Sequence, residues 1–344
     1  MLCPVAVFLA VLLPQPFQPF KVAVPAMFAF MTFQGSLDNT FERLADAFRH
    51  PLPLIVTVVL ASFVVPLVTY PVARALFGFD QDLLCGLALQ PCVPIGISCA
   101  IWVSLFGGDV SLALATLMVS TVISPFSIPL MLQHLLGQSV EVDVLSMMKD
   151  LALMVALPAL FGTALNTWSG GWASERLDPV IEPASRVMFL LVIACNSSGL
   201  ASYVRNLSPA LVAVIGYVVA MTVLGFALGF LVAHVLHLSD EQAVTAVFCC
   251  GLRNISSGAV LAAMYFSGAA IFPVICGTLV QQSLAGLAGS LVERYLAARS
   301  AANEGAGDAP GPDAAAGSDN AADPEGATDP DGAADPEGAA DPDA

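Results

Sequence analysis

Residues 90–99 read QPCVPIGISC and lie near the middle of an apolar run that extends from Asp82 to Gly107. A proline inside a helix removes a backbone N–H donor and clashes with the preceding turn, and a glycine relaxes the chain. Pro91, Pro94 and Gly96 therefore predict a helix that is broken rather than bent.

A second interruption reads CCGLRNISSG at residues 249–258, inside the apolar run 241–267. Gly251 marks the predicted break, and Arg253 is the only formally charged residue between Glu241 and Glu293. An arginine at the centre of a bilayer costs about 2.5–3.5 kcal/mol on insertion scales, and such residues usually mark a functional site. This segment is therefore a candidate binding site.

Both interruptions occur in a chain of 344 residues that is 57% hydrophobic and only 11% charged. Soluble domains are about 25% charged, so a soluble cytosolic enzyme is excluded. A helix needs about 20 mostly apolar residues to cross a bilayer. The sequence thus predicts an all-α polytopic membrane protein with ten transmembrane helices, at residues 3–19, 21–37, 51–77, 82–107, 110–136, 146–167, 184–204, 208–237, 241–267 and 270–296.

The first of these runs is the weakest, because Pro14, Pro16 and Pro19 shorten its clean apolar part. We predict a short, bent span here. The alternative is the apolar region of a signal peptide, although the basic start and the small-residue cleavage pattern of such a peptide are missing.

The interrupted runs are the fourth and the ninth, which are equivalent positions if the chain consists of two five-helix repeats. Interrupted hydrophobic segments at corresponding places in two halves are the best sequence indication of a secondary transporter's binding site. The N-terminus of each half-helix carries a partial positive charge from unpaired N–H groups. We therefore predict a binding site where the two broken helices cross.

The candidate substrate- or ion-binding residues are polar or thiol side chains within the apolar runs. The structural alternatives are that Arg253 binds carbonyl groups of its own broken helix, and that the small hydroxyls permit close helix packing. The candidates are Gln90, Ser98 and Cys99 in the fourth run, Thr116, Ser120 and Thr121 in the fifth, Asn196 in the seventh, and Cys249, Arg253, Asn254, Ser256 and Ser257 in the ninth.

The pattern of cysteines predicts no metal site and no cofactor. The eight cysteines lie in apolar runs, unlike a secreted disulfide framework. Cys85, Cys92 and Cys99 recur every seven residues, as in a soft-metal path, but the intervening prolines disrupt that register and no histidine is near. Nor is an enzyme predicted, because the chain has no phosphate-binding loop, no HExxH, no GxSxG and no paired acids within a run.

Four motifs occur in a characteristic order: PIG at 94–96, GDVSLA at 108–113, VSTVISP at 119–125 and GLRN at 251–254. With them, the chain resembles the bile acid:sodium symporter family over about residues 21–297. The resemblance implies ten helices as two inverted five-helix repeats, with a panel domain (about 3–37 and 146–204) and a core domain formed by the other helices. It also implies alternating access that carries an organic anion together with sodium.

The chain departs from that family at the positions that bind sodium. A Ser-Asn pair of the family aligns with Cys99 and Ala100, or with Ser98 and Cys99 after a one-residue shift. The family's glutamate and glutamine in the ninth helix correspond to Cys249 and Arg253. Because sodium prefers oxygen ligands, we hypothesise that the Arg253 guanidinium occupies the place of a sodium ion and that sodium coupling is weakened or absent.

These observations predict a secondary active transporter of a small organic anion, such as a bile-acid-like compound or a keto acid, with sodium as a candidate co-transported ion whose coupling is weakened or absent. Its predicted partners are that anion and the lipid bilayer, and no nucleic acid. Two alternatives stay open: an arsenite-type efflux carrier, faintly suggested by Cys92 and Trp102, and a membrane receptor or sensor.

The predicted transporter domain covers residues 1–299 and is followed by an acidic tail at 300–344. The tail holds twelve of the 27 acidic residues and no Lys or Arg, and a six-residue unit repeats from Asp323. Without large apolar side chains it is predicted to be disordered, as a solvating or docking tail; calcium binding is the alternative.

The orientation follows from Lys and Arg in the connections, since positive charge is retained in the cytoplasm. Six of these residues fall on one side and four on the other, which favours a cell-membrane protein with both termini in the cytoplasm. The six are Arg43, Arg49, Arg176, Arg186, Arg294 and Arg299, and the four are Lys21, Arg74, Lys149 and Arg205.

Overall fold

The structure is a computed structural model that describes residues 9–10, 12–47, 51–137, 143–198, 209–266 and 268–307. Within these ranges the chain forms helices joined by short connections. The one strand-like contact there is an antiparallel bridge between Ile95 and Arg253. The prediction of an all-helical protein is therefore confirmed.

Five of the described helices are long and apolar enough to cross a membrane. A helix of 27 residues, such as the one at Val110–Leu136, is about 40 Å long at 1.5 Å per residue, which exceeds a hydrocarbon core of about 30 Å. Large apolar side chains on their outer faces are exposed, as expected of surfaces that contact lipid. The five helices are α3 (Pro51–Phe77), α6 (Val110–Leu136), α7 (Val144–Trp168), α9 (Pro209–Val235) and α12 (Gly268–Gly307, with Ala269–Arg299 as its apolar part).

The other helices are shorter, and they include the two runs that the sequence predicts to be interrupted. A 3-10 helix at Gln15–Ala23 precedes α1. The shorter helices are α1 (Val24–Gly35), α2 (Phe41–Ala47), α4 (Gln81–Cys92), α5 (Ser98–Leu105), α8 (Asp178–Ser197), α10 (Asp240–Gly251) and α11 (Ile255–Tyr265).

Two sequence predictions fall partly outside the described residues. Residues 3–8 and 11 of the first run lie outside the described part, so a first span stays a prediction. Of the acidic tail, residues 308–344 lie outside the described part. Helix α12 continues to Gly307, so the first residues of the predicted tail are helical.

The fourth run is broken between α4 and α5, but the break begins later than the sequence suggests. Pro91 lies inside α4, which ends at Cys92, and Pro94 and Gly96 lie in the non-helical segment that follows. Pro91 lacks a backbone N–H, so the last turn of α4 has one hydrogen bond fewer. The residue is buried, and packing against its neighbours keeps it helical. Pro91 is therefore not part of the break itself.

The ninth run is broken at Leu252–Asn254, directly after Gly251, the last residue of α10. Helix α11 then starts afresh with a side-chain cap, since the carboxamide oxygen of Asn254 accepts a hydrogen bond from the Ser257 N–H at 3.2 Å. Such a cap satisfies one of the unpaired donors of a helix N-terminus. The predicted break at Gly251 is present.

The two broken helices cross in opposite directions. The end of α5 lies beside the start of α10, because the Asp109 N–H donates to the Glu241 carbonyl (3.2 Å) and the Thr245 hydroxyl donates to the Asp109 carbonyl (3.1 Å). The start of α4 lies against the start of α12, where a Cβ on Gly86 would stand 2.2 Å from the Ala270 carbonyl oxygen. Helices α5 and α11 therefore leave the crossing toward opposite ends of the helical unit.

Helices α1, α7 and α8 pack against one another, and α7 also packs against α6. Gly162 of α7 touches α1 so closely that a Cβ would lie 2.5 Å from the Phe33 carbonyl oxygen. The Phe33 and Phe161 rings stack at 5.7 Å, and the Gln34 amide donates to the Asp178 carboxylate at 2.8 Å. These helices correspond to the runs 21–37, 146–167 and 184–204.

Candidate functional site

The centre of the candidate site is a backbone-to-backbone contact between the two helix breaks. The Gly96 N–H donates to the Leu252 carbonyl (3.1 Å), and the Asn254 N–H donates to the Pro94 carbonyl (2.8 Å). These bonds satisfy backbone groups that the breaks would otherwise leave unpaired in the membrane interior. Gly96 is required here, because a Cβ would lie 2.7 Å from the Arg253 carbonyl oxygen.

Arg253 lies at this contact and is 5% exposed. Its two terminal guanidinium nitrogens, Nη1 and Nη2, have no hydrogen-bond partner in the described part of the chain. Arg253, Gln90 and Thr222 line a cavity of about 10 Å³. The side-chain oxygen of Gln90 is buried and also lacks a partner.

This small cavity matches the space that a single water molecule needs, about 10–15 Å³. The positive charge has no carboxylate partner among the described residues. The arrangement is a buried, unneutralised positive charge at the centre of the crossing.

Gln281 of α12 holds the Arg253 backbone on both sides. Its side-chain oxygen accepts from the Arg253 N–H (3.2 Å), and its amide nitrogen donates to the Arg253 carbonyl (2.9 Å). Gln281 is 6% exposed and is not among the candidate residues from the sequence. Nothing in its sequence context indicates that its partner is the helix break.

We expect Gln281→Leu to lower the free energy of unfolding by about 1–3 kcal/mol, because the buried Arg253 N–H loses its partner and the Arg253 carbonyl keeps only the bond from the Ile255 N–H at 3.0 Å. The measurement is thermal denaturation of detergent-purified protein. Gln282→Leu is the matched control, since Gln282 lies on the exposed side, where it bonds Ser98 and Trp102. An equal loss in both variants would contradict a specific role for Gln281.

The structure brings most of the predicted fourth- and ninth-run residues to the crossing. Ser120 of α6 joins them, because its hydroxyl accepts from the Ile95 N–H at 3.1 Å. Ser257 is buried with an unpartnered hydroxyl, and Ser256 beside it is half-buried. Ser98 accepts a hydrogen bond from Gln282 (3.0 Å) at the start of α5.

Two of the predicted fifth-run residues bond to their own helix. The Thr116 hydroxyl donates to the Leu112 carbonyl (2.6 Å), and the Thr121 hydroxyl donates to the Leu117 carbonyl (2.8 Å). Both side chains are buried. These bonds agree with the packing alternative for small hydroxyls, and a ligand role for either threonine stays a prediction.

Cys99 and Cys249, from α5 and α10, form a thiol pair. Their sulfur atoms are 3.1 Å apart and both residues are 0% exposed. Each residue is a candidate from the sequence, but nothing in the sequence indicates that the two meet, because 150 positions separate them. Among the described residues, no group of three or more His, Cys, Asp or Glu side chains could hold a metal ion.

Two larger cavities flank the crossing. One, of about 880 Å³, is lined by residues 100–105 of α5, by α6, and by polar residues that include Asp38, Asn166 and Ser174. The other, of about 230 Å³, is lined by Val260, Ala263 and Met264 of α11 and by Lys21, Cys195 and Asn196. The structure thus places Asn196 away from the other candidates, in a cavity of its own.

These cavities lie toward opposite ends of the helical unit, because α5 and α11 leave the crossing in opposite directions.

Residues 3–295 match the sequence profile of the SBF-like CPA transporter family (DUF4137). The chain belongs to this family. It is therefore a membrane transporter, and the resemblance to the bile acid:sodium symporter family is confirmed.

Relatives of the chain include proteins with and without a named activity. An uncharacterized protein of Bacillus subtilis, YbaS, is 37% identical over 86% of this chain and 96% of its own length. A probable sodium/metabolite cotransporter of Arabidopsis thaliana, the chloroplastic protein BASS3, is 27% identical over 74% of this chain and 59% of its own length. An uncharacterized sodium-dependent transporter of B. subtilis, YocS, is 22% identical over 65% of this chain and 68% of its own length.

Proposed function

We propose that this member of the family is a secondary active transporter that moves a small organic anion by alternating access, with Arg253 as a fixed positive charge in place of a coupled sodium ion. The observation that carries the proposal is the guanidinium of Arg253, buried without a carboxylate partner among the described residues at the contact between two broken helices. A buried charge of this kind in a membrane protein usually marks a transport site.

The arrangement of the cavities supports alternating access. Each is bounded by one half-helix that starts at the crossing and by residues of the α1, α7 and α8 group or the segments next to it. The cavity beside α5 is wider than the one beside α11, about 880 against 230 Å³. We propose that this state is open on the α5 side and nearly closed on the α11 side.

The two broken helices run in opposite directions where they cross, which supports two inverted five-helix repeats. We propose that the group of α1, α7 and α8 is the panel domain and that the other spans form the core, with ten spans in the complete fold. The protein is proposed to reside in the cell membrane with both termini in the cytoplasm, following the distribution of Lys and Arg.

The charge at the crossing favours an anion over a cation. Helices α5 and α11 begin there and helices α4 and α10 end there, so the partial charges of the helix ends oppose one another and the net positive charge is that of Arg253. A sodium ion would meet this positive potential and find thiols at Cys99 and Cys249 where oxygen ligands are needed. Some relatives are described as sodium-dependent, so sodium coupling is the alternative. Measuring transport with and without sodium therefore tests the proposal directly.

The smaller cavity supplies features that suit an amphipathic carboxylate. Lys21 contributes a positive charge, Asn196 a carboxamide whose nitrogen has no partner among the described residues, and α11 an apolar wall. A carboxylate accepts hydrogen bonds from donors such as an ammonium group and an amide N–H. The cavity of about 230 Å³ suits a small anion better than a steroid.

We expect Lys21→Gln to raise the KM for the transported anion about tenfold while kcat changes less, because the charge aids binding rather than translocation. The measurement is initial uptake into proteoliposomes over a range of anion concentrations. Lys149→Gln is the matched control, because Lys149 is the other lysine of the chain and does not line either large cavity. An unchanged KM in Lys21→Gln would remove Lys21 from the site.

The experiment that tests the proposed function is flux into proteoliposomes of purified protein. Labelled monocarboxylates, keto acids and bile acids are offered in turn, in sodium and in choline buffer. Accumulation of one anion supports the proposal, and stimulation by sodium would replace fixed-charge coupling by sodium symport. Binding without flux would instead indicate a receptor, and flux of arsenite alone an efflux carrier.

A further inference from the structure

A pair of thiols lies at the crossing, one on each of the two broken helices. Cys99 lies in the first turn of α5, and Cys249 lies in the last turn of α10. Their sulfur atoms are 3.1 Å apart, and both residues are free thiols. A disulfide has an S–S length of about 2.05 Å, so the two sulfurs need to approach by only about 1 Å.

We propose that Cys99 and Cys249 are an oxidative modification site, at which a hydroperoxide forms a reversible disulfide that fastens the two broken helices together. The crosslink would join α5 to α10 directly beside the Gly96–Leu252 contact. The modification itself does not depend on the proposed function. Its effect on transport does, because a lock matters only if the crossing moves during the cycle.

The chemistry needs one molecule of hydrogen peroxide per disulfide. The first thiol attacks the peroxide, which is cleaved at its O–O bond, and gives a sulfenic acid and one water. The second thiol then attacks that sulfur, the S–S bond forms, and the sulfenic oxygen leaves as a second water. Two thiols are oxidised and one peroxide is reduced, and a dithiol reductant reverses the change by thiol–disulfide exchange.

The surroundings of the pair set its selectivity. Both residues are buried among Ile95, Val103, Phe248 and neighbouring apolar side chains. Burial keeps charged or bulky oxidants away from both sulfurs, so only a small uncharged oxidant reaches the pair. Hydrogen peroxide is a small, uncharged oxidant and fits this requirement. The second sulfur is already in contact, so a sulfenic acid that forms there is captured at once.

The test begins with peptide mapping of full-length wild-type protein in lipid nanodiscs. After treatment with hydrogen peroxide and blocking of free thiols, we expect one disulfide-linked peptide pair that contains Cys99 and Cys249, and its loss after dithiothreitol. Absence of this pair, or a crosslink between other cysteines instead, would overturn the proposal without any reference to transport.

The second part measures anion flux before oxidation, after oxidation and after reduction. We expect wild type and Cys85→Ala to lose at least tenfold in flux and to recover on reduction, because Cys85 is a buried thiol outside the crossing. Cys99→Ala and Cys249→Ala should each lack this response. Reversible loss that persists in both alanine variants would overturn the assignment to this pair. If wild type forms the crosslink but shows no anion flux even when reduced, the proposed function fails and the modification site stands.

Discussion

Replacement of Arg253 by glutamine should reduce anion flux in choline buffer about 100-fold. The guanidinium supplies the fixed positive charge at the crossing, where it is 5% exposed and has unpartnered terminal nitrogens within the described residues. We take the loss to be that of one hydrogen bond from the charged guanidinium to the anion as it passes the crossing, about 1.5–3 kcal/mol, and about 2.7 kcal/mol corresponds to a 100-fold change in rate. Wild-type flux should change less than about twofold when choline replaces sodium, whereas Arg253→Gln should need sodium for whatever flux it retains.

Two variants separate charge from shape in this experiment. Arg253→Lys keeps the positive charge and should retain more flux than Arg253→Gln. Arg186→Gln removes an exposed arginine paired with Glu182 on α8 and should leave flux near the wild-type level. Strong sodium stimulation of the wild type that survives in Arg253→Gln would show that the guanidinium does not replace sodium, and the fixed-charge proposal would be abandoned.

A methyl group at Gly96 should have the largest effect on stability of any single change at the site. In Gly96→Ala the new Cβ would stand 2.7 Å from the carbonyl oxygen and 2.9 Å from the carbonyl carbon of Arg253. Both atoms belong to backbone that is held by hydrogen bonds on either side, so neither can move away cheaply. We expect a loss of about 3 kcal/mol or more, at the upper end of the usual cost of overpacking.

The matched control for this change is Gly216→Ala in the long helix α9. No atom lies within 4 Å of the position of a Cβ on Gly216. Alanine is favoured over glycine inside a helix by about 0.5–1 kcal/mol, so this variant should be equal to or more stable than wild type. Thermal denaturation followed by size-exclusion chromatography gives both values. A Gly96→Ala protein as stable as wild type would show that the two breaks do not meet as closely as described.

The sequence was sufficient to predict the helical, membrane-spanning class because that class depends on local composition. Runs of about 20 apolar residues cannot be accommodated by a small soluble core, and the predicted runs 51–77 and 110–136 coincide with helices α3 and α6. The two breaks were also predictable, since proline and glycine act on the backbone within one turn. Pro91 is the exception, because packing keeps it helical although its own propensity opposes this.

The partners of the site residues could not be predicted in this way. Gln281 and Gln282 are adjacent in sequence, yet Gln281 holds the Arg253 backbone and Gln282 bonds Ser98 on the exposed side. Adjacent residues on a helix point about 100° apart, so which one reaches the break depends on the rotation of α12 about its axis. That rotation is fixed by packing against the whole core.

By itself, then, the sequence determined where helices form, where two of them break, and which family motifs the chain carries, since each depends on a few consecutive residues and on the cost of polar groups in lipid. Tertiary structure alone decided that Ile95 meets Arg253, that the Cys99 and Cys249 sulfurs touch across 150 positions, and that Asn196 lines a different cavity from the other candidates. Contacts between distant segments depend on how whole helices cross and rotate, and no local pattern encodes those angles.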